Sequence, residues 1–218
     1  MKKPKVYSAK TVTMLAMLTA ISFLVVAVIH IPVVLFLKYE PKDVIITIGG
    51  FLYGPLAALI VSFMTSLIEF LTISDTGPIG FLMNVLSSCA FSCTAAYIYK
   101  KHRTMTGAVA GLALGSLLMV ALMILWNWLI TPLYMGVPRE QVQALLIPAF
   151  LPFNALKAGL NTALTLVLYK PLVTTLRKIH LVDPREETQS HTKVILYLMA
   201  VLLLATCIIL VLVLNGTI

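Results

Sequence analysis

Seven long apolar runs, separated by short polar segments, decide what this chain can fold into. They cover Thr11–Leu37, Val44–Tyr53, Leu56–Leu71, Ile79–Tyr99, Met105–Thr131, Pro148–Leu176 and Val194–Leu214. A helix of about 20 apolar residues matches the hydrocarbon thickness of a bilayer. Backbone groups find no water there, so each run must satisfy its own hydrogen bonds as a helix. The expected fold is all-α, a polytopic membrane protein. Composition agrees: 60% of the residues are hydrophobic and only 11% charged, with mean hydropathy +1.01. A soluble domain is about 25% charged. One membrane domain accounts for the 218 residues.

The net charge of +8 points to the membrane and not to nucleic acid, because Lys and Arg gather at the ends of apolar runs. Cytoplasmic loops carry the excess of Lys and Arg. The N-terminus, with Lys2, Lys3, Lys5 and Lys10, is therefore expected in the cytoplasm, ahead of an uncleaved first span. Val44–Leu71 is broken by Gly54-Pro55 and reads as one kinked span or as two. Two spans keep Lys100-Lys101-His102-Arg103 on the cytoplasmic side, and one span would not. Since Val44–Tyr53 is shorter than a normal span, the Gly54-Pro55 turn is expected at membrane depth, covered by protein. The expected divisions are a basic N-terminus (1–10), a six-helix membrane domain (11–177), a cytoplasmic linker (178–193) and an additional seventh helix toward the C-terminus (194–218). Lys38–Asp43, Ile73–Pro78 and Gly136–Leu146 are expected as loops on the far side.

Within this apolar frame one stretch is unusual. Leu151–Asn161 carries Asn154, Lys157 and Asn161 at spacings that share one helix face. A lysine at the bilayer centre costs about 2.5–3.5 kcal/mol on insertion scales. Either Lys157 reaches toward a headgroup region, or it shares a polar cavity with the two asparagines. Glu69, Asn84 and Asn127 also lie in or near spans, on the same side as the Lys38–Asp43 loop. Together they suit one outward-facing pocket for a small polar or heteroaromatic solute. The competing readings are interhelical hydrogen bonding for Asn84 and Asn127, and an interfacial position for Glu69. Cys89, Cys93 and Cys207 lie in apolar runs without further ligands nearby, so they read as packing residues and not as a metal site. No G-x-x-x-x-G-K-[ST] loop is present, so the chain does not drive itself with ATP in that way. With no HExxH or GxSxG, nothing supports an intramembrane enzyme. Ala16 and Ala20 form an AxxxA pattern that admits a neighbouring helix closely.

These residues resemble a known family. Asp43 to Ala57, through Gly49-Gly50 and Gly54-Pro55, is similar to the loop-one and Gly-Pro signature of S-components, the substrate-binding subunits of energy-coupling factor (ECF) vitamin transporters. The riboflavin-specific, RibU-type members are the nearest match. Asn127-Trp128-Leu129-Ile130-Thr131-Pro132-Leu133-Tyr134 resembles their N-[YW]-x-x-x-P-L-Y stretch. Phe153-Asn154-Ala155-Leu156-Lys157 resembles their F-N-x-x-K stretch, and Thr76–Asn84 their Gly-containing start of helix four. The resemblance spans about Thr11 to Arg177. It implies a six-helix S-component that binds riboflavin from outside and has no catalytic activity or cofactor. It also implies partners in the membrane, a transmembrane coupling subunit and two ATPase subunits. By match to the motifs, Asn154 and Lys157 hold the flavin with Asn127 beside them. Glu40 and Asp43 are loop-one contacts, Asn84 and Asn161 complete the polar set, and Ala16 and Ala20 meet the coupling subunit. Another vitamin such as pantothenate, and acceptance of flavin mononucleotide (FMN), stay open. The seventh apolar run departs from the family pattern.

Overall fold

The structure, a computed structural model, describes residues 8–29, 31–34, 37–178 and, in the C-terminal run, 200, 201, 203–205 and 207. Helix α1 (Ala9–Val28) opens at Ser8, whose hydroxyl accepts from the Thr11 N–H at 3.3 Å. It stops well before the expected Leu37. Pro32 lacks an N–H and drives Ile31 to an extended conformation. The chain then forms a hairpin, β1 (Ile31–Val34) against β2 (Leu37–Tyr39), with Ile31 opposite Tyr39 and Pro32 opposite Lys38. This hairpin corrects the single long first helix; the remaining described elements are helical.

Helices α2 (Lys42–Tyr53) and α3 (Pro55–Thr72) are joined by Gly54 alone. Its φ of 98° is open to glycine and strained for other residues. Pro55 then starts α3, where a missing N–H costs nothing. The two helices run antiparallel. A Cβ on Gly50 would stand 3.0 Å from that of Ala58, and Lys42 near one end touches Glu69 near the other. A twelve-residue helix is only about 18 Å long. The shortfall is not at the turn, because Gly54 lies beside Lys100 at the basic end of the bundle. It is the start of α2 that is sunk: Lys42 and Asp43 are fully buried beneath the hairpin region. The expectation of a charged loop running through Lys38–Asp43 is therefore corrected as well, since Lys42 and Asp43 belong to the first turn of α2.

Helices α4 (Gly77–Ser88) and α5 (Thr94–Lys101) form one apolar rod through a π-helical turn at Cys89–Cys93. Helix α6 (Met105–Leu129) runs back along it, starting at Thr104, whose hydroxyl accepts from the Gly107 N–H. Close approach is built in: a Cβ on Gly115 would lie 2.5 Å from the Phe91 carbonyl oxygen. Residues 136–146, expected as a loop, contain α8 (Arg139–Leu145), which follows the short α7 (Thr131–Met135). Val142 explains this, since it is fully buried in a cluster with Val33, Leu37 and Phe150. A second π-helical turn at Leu146–Phe150, containing Pro148 with no N–H to donate, leads into α9 (Leu151–Lys178).

Among the described residues, five segments are long and apolar enough to cross a membrane: Ala9–Val28, Pro55–Thr72, Gly77–Lys101, Met105–Leu129 and Arg139–Tyr169. Helix α2 packs among α1, α3, α5 and α9. Leu24, Leu56, Leu117 and Leu168 are exposed on the outside, as a lipid solvent permits. In the C-terminal run the described residues are helical, and Ala200, Leu204 and Cys207 pack into the bundle. The rest of the expected seventh helix, the linker beyond Lys178, and residues 1–7 lie outside the described residues.

Candidate functional site

The site is organised by the buried first turn of α2. Asp43 has no exposed surface, and its carboxylate is held from three sides. Ser88 on α4 donates to Oδ1, Asn161 Nδ2 donates to Oδ2 at 3.1 Å, and Lys157 Nζ lies 3.5 Å from Oδ2. The π-helical turn after Ser88 keeps the next wall close. Thr47 donates its hydroxyl to the Asp43 carbonyl oxygen at 2.6 Å, and Ser92 donates to the Thr47 hydroxyl at 2.8 Å. Tyr39 on β2 completes the chain by donating its O–H to Asn161 Oδ1 at 3.0 Å. Burial, reinforced by the Asp43 carboxylate, pushes the Tyr39 phenol far up, so it stays a donor.

Lys42, also without exposed surface, forms a second cluster. Its ammonium pairs with Glu40 at 2.9 Å and with Glu69 on α3, and Glu69 Oε1 accepts from Asn84 Nδ2 at 2.7 Å. An unpaired buried charge is costly, and the two carboxylates around this ammonium meet two of its three donors. At the rim, Lys38 pairs with Asp75 at 3.0 Å.

Between these clusters lies a cavity of about 340 Å³, within the size range of small-molecule sites. Phe153, Met83, Met123 and Leu37 supply apolar wall, and Glu40, Glu69, Asn84, Ser87, Asn127, Asn154 and Lys157 supply polar groups. Two asparagines are fixed by their own helices. Asn127 Nδ2 donates to the Met123 carbonyl and its Oδ1 accepts from Thr131. Asn154 Nδ2 donates to Phe150 O, in the π-helical turn, at 2.7 Å. Three lysines (Lys38, Lys42, Lys157) face four carboxylates (Glu40, Asp43, Glu69, Asp75), and each lysine has an acid partner. The cavity therefore offers no surplus cation.

Six of the residues singled out in the sequence line this cavity: Asn154, Lys157, Asn127, Glu40, Glu69 and Asn84. Two do not. Asp43 and Asn161 have no exposed surface: Asp43 pairs with the Lys157 ammonium, and Asn161 donates to Asp43 behind it. The polar face of α9 is thus divided, with Asn154 and Lys157 on the cavity and Asn161 one turn deeper. Ala16 and Ala20 lie on the exposed face of α1, opposite the buried Met14, Leu15 and Leu18. Sequence reasoning missed Lys42, Tyr39 and Ser87. Lys42 had a signal, since a cation just inside a helix start needs the acid that Glu69 supplies in the next apolar run. Ser87 is nearly buried, its Oγ has no partner among the described residues, and it lines the cavity. A serine within an apolar helix gives no such signal.

Comparison with known proteins agrees with this architecture. Residues 10–169 match the family described as "ECF transporter, substrate-specific component". Riboflavin transporter RibU of Staphylococcus aureus is 27% identical over 187 residues, covering 82% of this chain and 98% of that protein. Riboflavin transporter FmnP of Bacillus subtilis is 26% identical over 187 residues, covering 79% and 98%. A solved chain described as "Structure and mechanism of the S component of a bacterial ECF transporter" superposes with a TM-score of 0.68 at 26% identity. It covers 77% of this chain and 98% of the other. The chain belongs to the substrate-specific components of ECF transporters.

Proposed function

We propose that this chain is the riboflavin-binding subunit of an ECF transporter, and that riboflavin occupies the cavity between α4, α6, α9 and the β1–β2 hairpin. The observation that carries this is the convergence of Asn84, Ser87, Asn127, Asn154 and Lys157 on one cavity that Phe153, Met83, Met123 and Leu37 also line. A flavin ring offers carbonyl oxygens and ring nitrogens along one edge and an apolar face, which suits that distribution. The names of the relatives point to the same vitamin. Because every lysine at the cavity is already paired, we expect riboflavin to be preferred over FMN. The family is a transport subunit and not an enzyme. The test is purification from riboflavin-replete cells. The protein should carry a yellow ligand whose fluorescence is quenched, and uptake of labelled riboflavin should require this chain. A colourless protein that instead retains pantothenate would overturn the assignment.

On the same reading, the N-terminus is cytoplasmic, the cavity opens outward, and a transmembrane coupling subunit with two ATPases supplies the energy. The exposed Ala16 and Ala20 of α1 are the proposed contact with the coupling subunit. Replacing both by Leu should abolish uptake while purified protein still binds riboflavin. Undiminished uptake would show that this face is not the contact.

A further inference from the structure

The described part of the C-terminal run packs on the back of α9. Ala200 joins a buried cluster with Ala158 and Leu166, while Cys207 joins another with Tyr39, Leu156 and Leu160. Leu204 packs against that second cluster. The approach is close, because a Cβ on Gly159 would stand 3.0 Å from Cys207 Sγ. Gly159 lies about 200° around α9 from both Lys157 and Asn161, so this helix meets the face opposite the cavity. None of its described residues lines the cavity. Residues 170–218 also lie beyond the part that matches the family.

One path connects this face to the cavity. Tyr39, in the same cluster as Cys207, donates to Asn161, Asn161 donates to Asp43, and Asp43 pairs with Lys157 at the cavity wall. Each link is buried: Tyr39 is 5% exposed, and Asn161 and Asp43 are 0% exposed. Buried polar chains hold geometry only while every member stays satisfied. Tyr39 sits on a two-stranded hairpin, which is marginal by itself and needs packing to stay in place.

We propose that the C-terminal helix is a positioning element for the ligand site. By packing Leu204 and Cys207 against Tyr39, Leu156, Gly159 and Leu160, it fixes the Tyr39–Asn161–Asp43–Lys157 chain and so sets ligand affinity from outside the cavity. The inference rests on riboflavin as the ligand. Gly159 and Cys207 are positioning residues, and substitution there acts through Tyr39.

The test uses the full chain and riboflavin fluorescence quenching, with Gly159→Leu and the milder Gly159→Ala, each in the wild-type and Tyr39→Phe backgrounds. Absence of riboflavin binding by the wild type would defeat the riboflavin reading itself. Given binding, Gly159→Leu should weaken it about fivefold to thirtyfold, with Gly159→Ala between it and wild type. In the Tyr39→Phe background the same substitutions should add less than about threefold, since the chain is already cut. If Gly159→Leu does not yield folded protein, Gly159→Ala and Cys207→Leu supply the same comparison. Unchanged affinity, or equal losses in both backgrounds, would overturn the positioning role.

Discussion

The two ends of the bundle are built on opposite principles, although α2, α6 and α9 run through both. At the end near Lys100, packing is close and small residues set the distances. Gly50 meets Ala58 and Ala96, Gly111 and Gly115 lie against the Ala95 and Phe91 backbone, and Phe51 stacks on Tyr99 with ring centroids 4.5 Å apart. At the hairpin end the same helices separate around a cavity, and their buried groups include charged and carboxamide side chains. The first end gains dispersion contacts and needs no ligand to be complete. The second holds two satisfied ionic clusters and leaves Ser87 Oγ without a protein partner. Rigidity at one end allows polar groups at the other to be aimed without collapse of the space between them.

If this contrast is right, breaking an ionic cluster should cost more than crowding the close-packed end. Glu69→Ala removes a carboxylate from Lys42 and the acceptor of Asn84. Leaving one partner of a buried pair behind costs about 3–5 kcal/mol. A fall in the thermal midpoint of detergent-purified protein is expected, and a midpoint within a degree of wild type would show that Glu40 alone satisfies Lys42. Gly115→Leu forces side-chain volume against the Phe91 carbonyl and should cost about 1–3 kcal/mol. Its folded fraction should still bind riboflavin normally, because Gly115 lies away from the cavity. Reduced affinity in that fraction would mean that the two ends are not independent.

The smallest of these effects concerns charge. Riboflavin and FMN differ by a phosphate that meets no unpaired lysine at the cavity. FMN should bind at least about tenfold more weakly, a difference of about 1.4 kcal/mol. Asp75→Asn, which frees Lys38 at the rim, should narrow that ratio by about twofold to fivefold, the range of an exposed pair. Equal affinity for the two flavins in the wild type would show that the paired lysines do not govern the choice.

Much of this was legible in the sequence because hydropathy and charge act over whole segments. The helical membrane class, the fold-back at Gly54-Pro55, and Asn84, Asn127, Asn154 and Lys157 around one cavity all follow from apolar runs and polar residues within them. What was not legible depends on packing between distant segments. Ile31–Leu37 reads as the end of an apolar helix, yet Pro32 and burial of Val33, Leu37 and Tyr39 against α8 and α9 make residues 31–39 a hairpin. Asp43 and Asn161 were expected at the ligand. Their positions behind Lys157 follow from the start of α2 being covered, which no local pattern encodes. Lys42 was counted with a charged loop because its acid, Glu69, lies on the next helix.

The most direct measurement is quenching of riboflavin fluorescence by purified wild-type, Lys157→Met and Asn154→Ala proteins. A hydrogen bond from the Lys157 ammonium is worth about 1.5–3 kcal/mol and one from the neutral Asn154 about 0.5–1.5 kcal/mol, so Lys157→Met should weaken binding roughly tenfold to a hundredfold and Asn154→Ala about twofold to tenfold. In Lys157→Met, Asp43 keeps Ser88 and Asn161 as donors, so the protein should still insert and purify. The account predicts saturable quenching at one riboflavin per wild-type chain and right-shifted curves for both variants. No quenching by the wild type, or unchanged affinity in both variants, would contradict it.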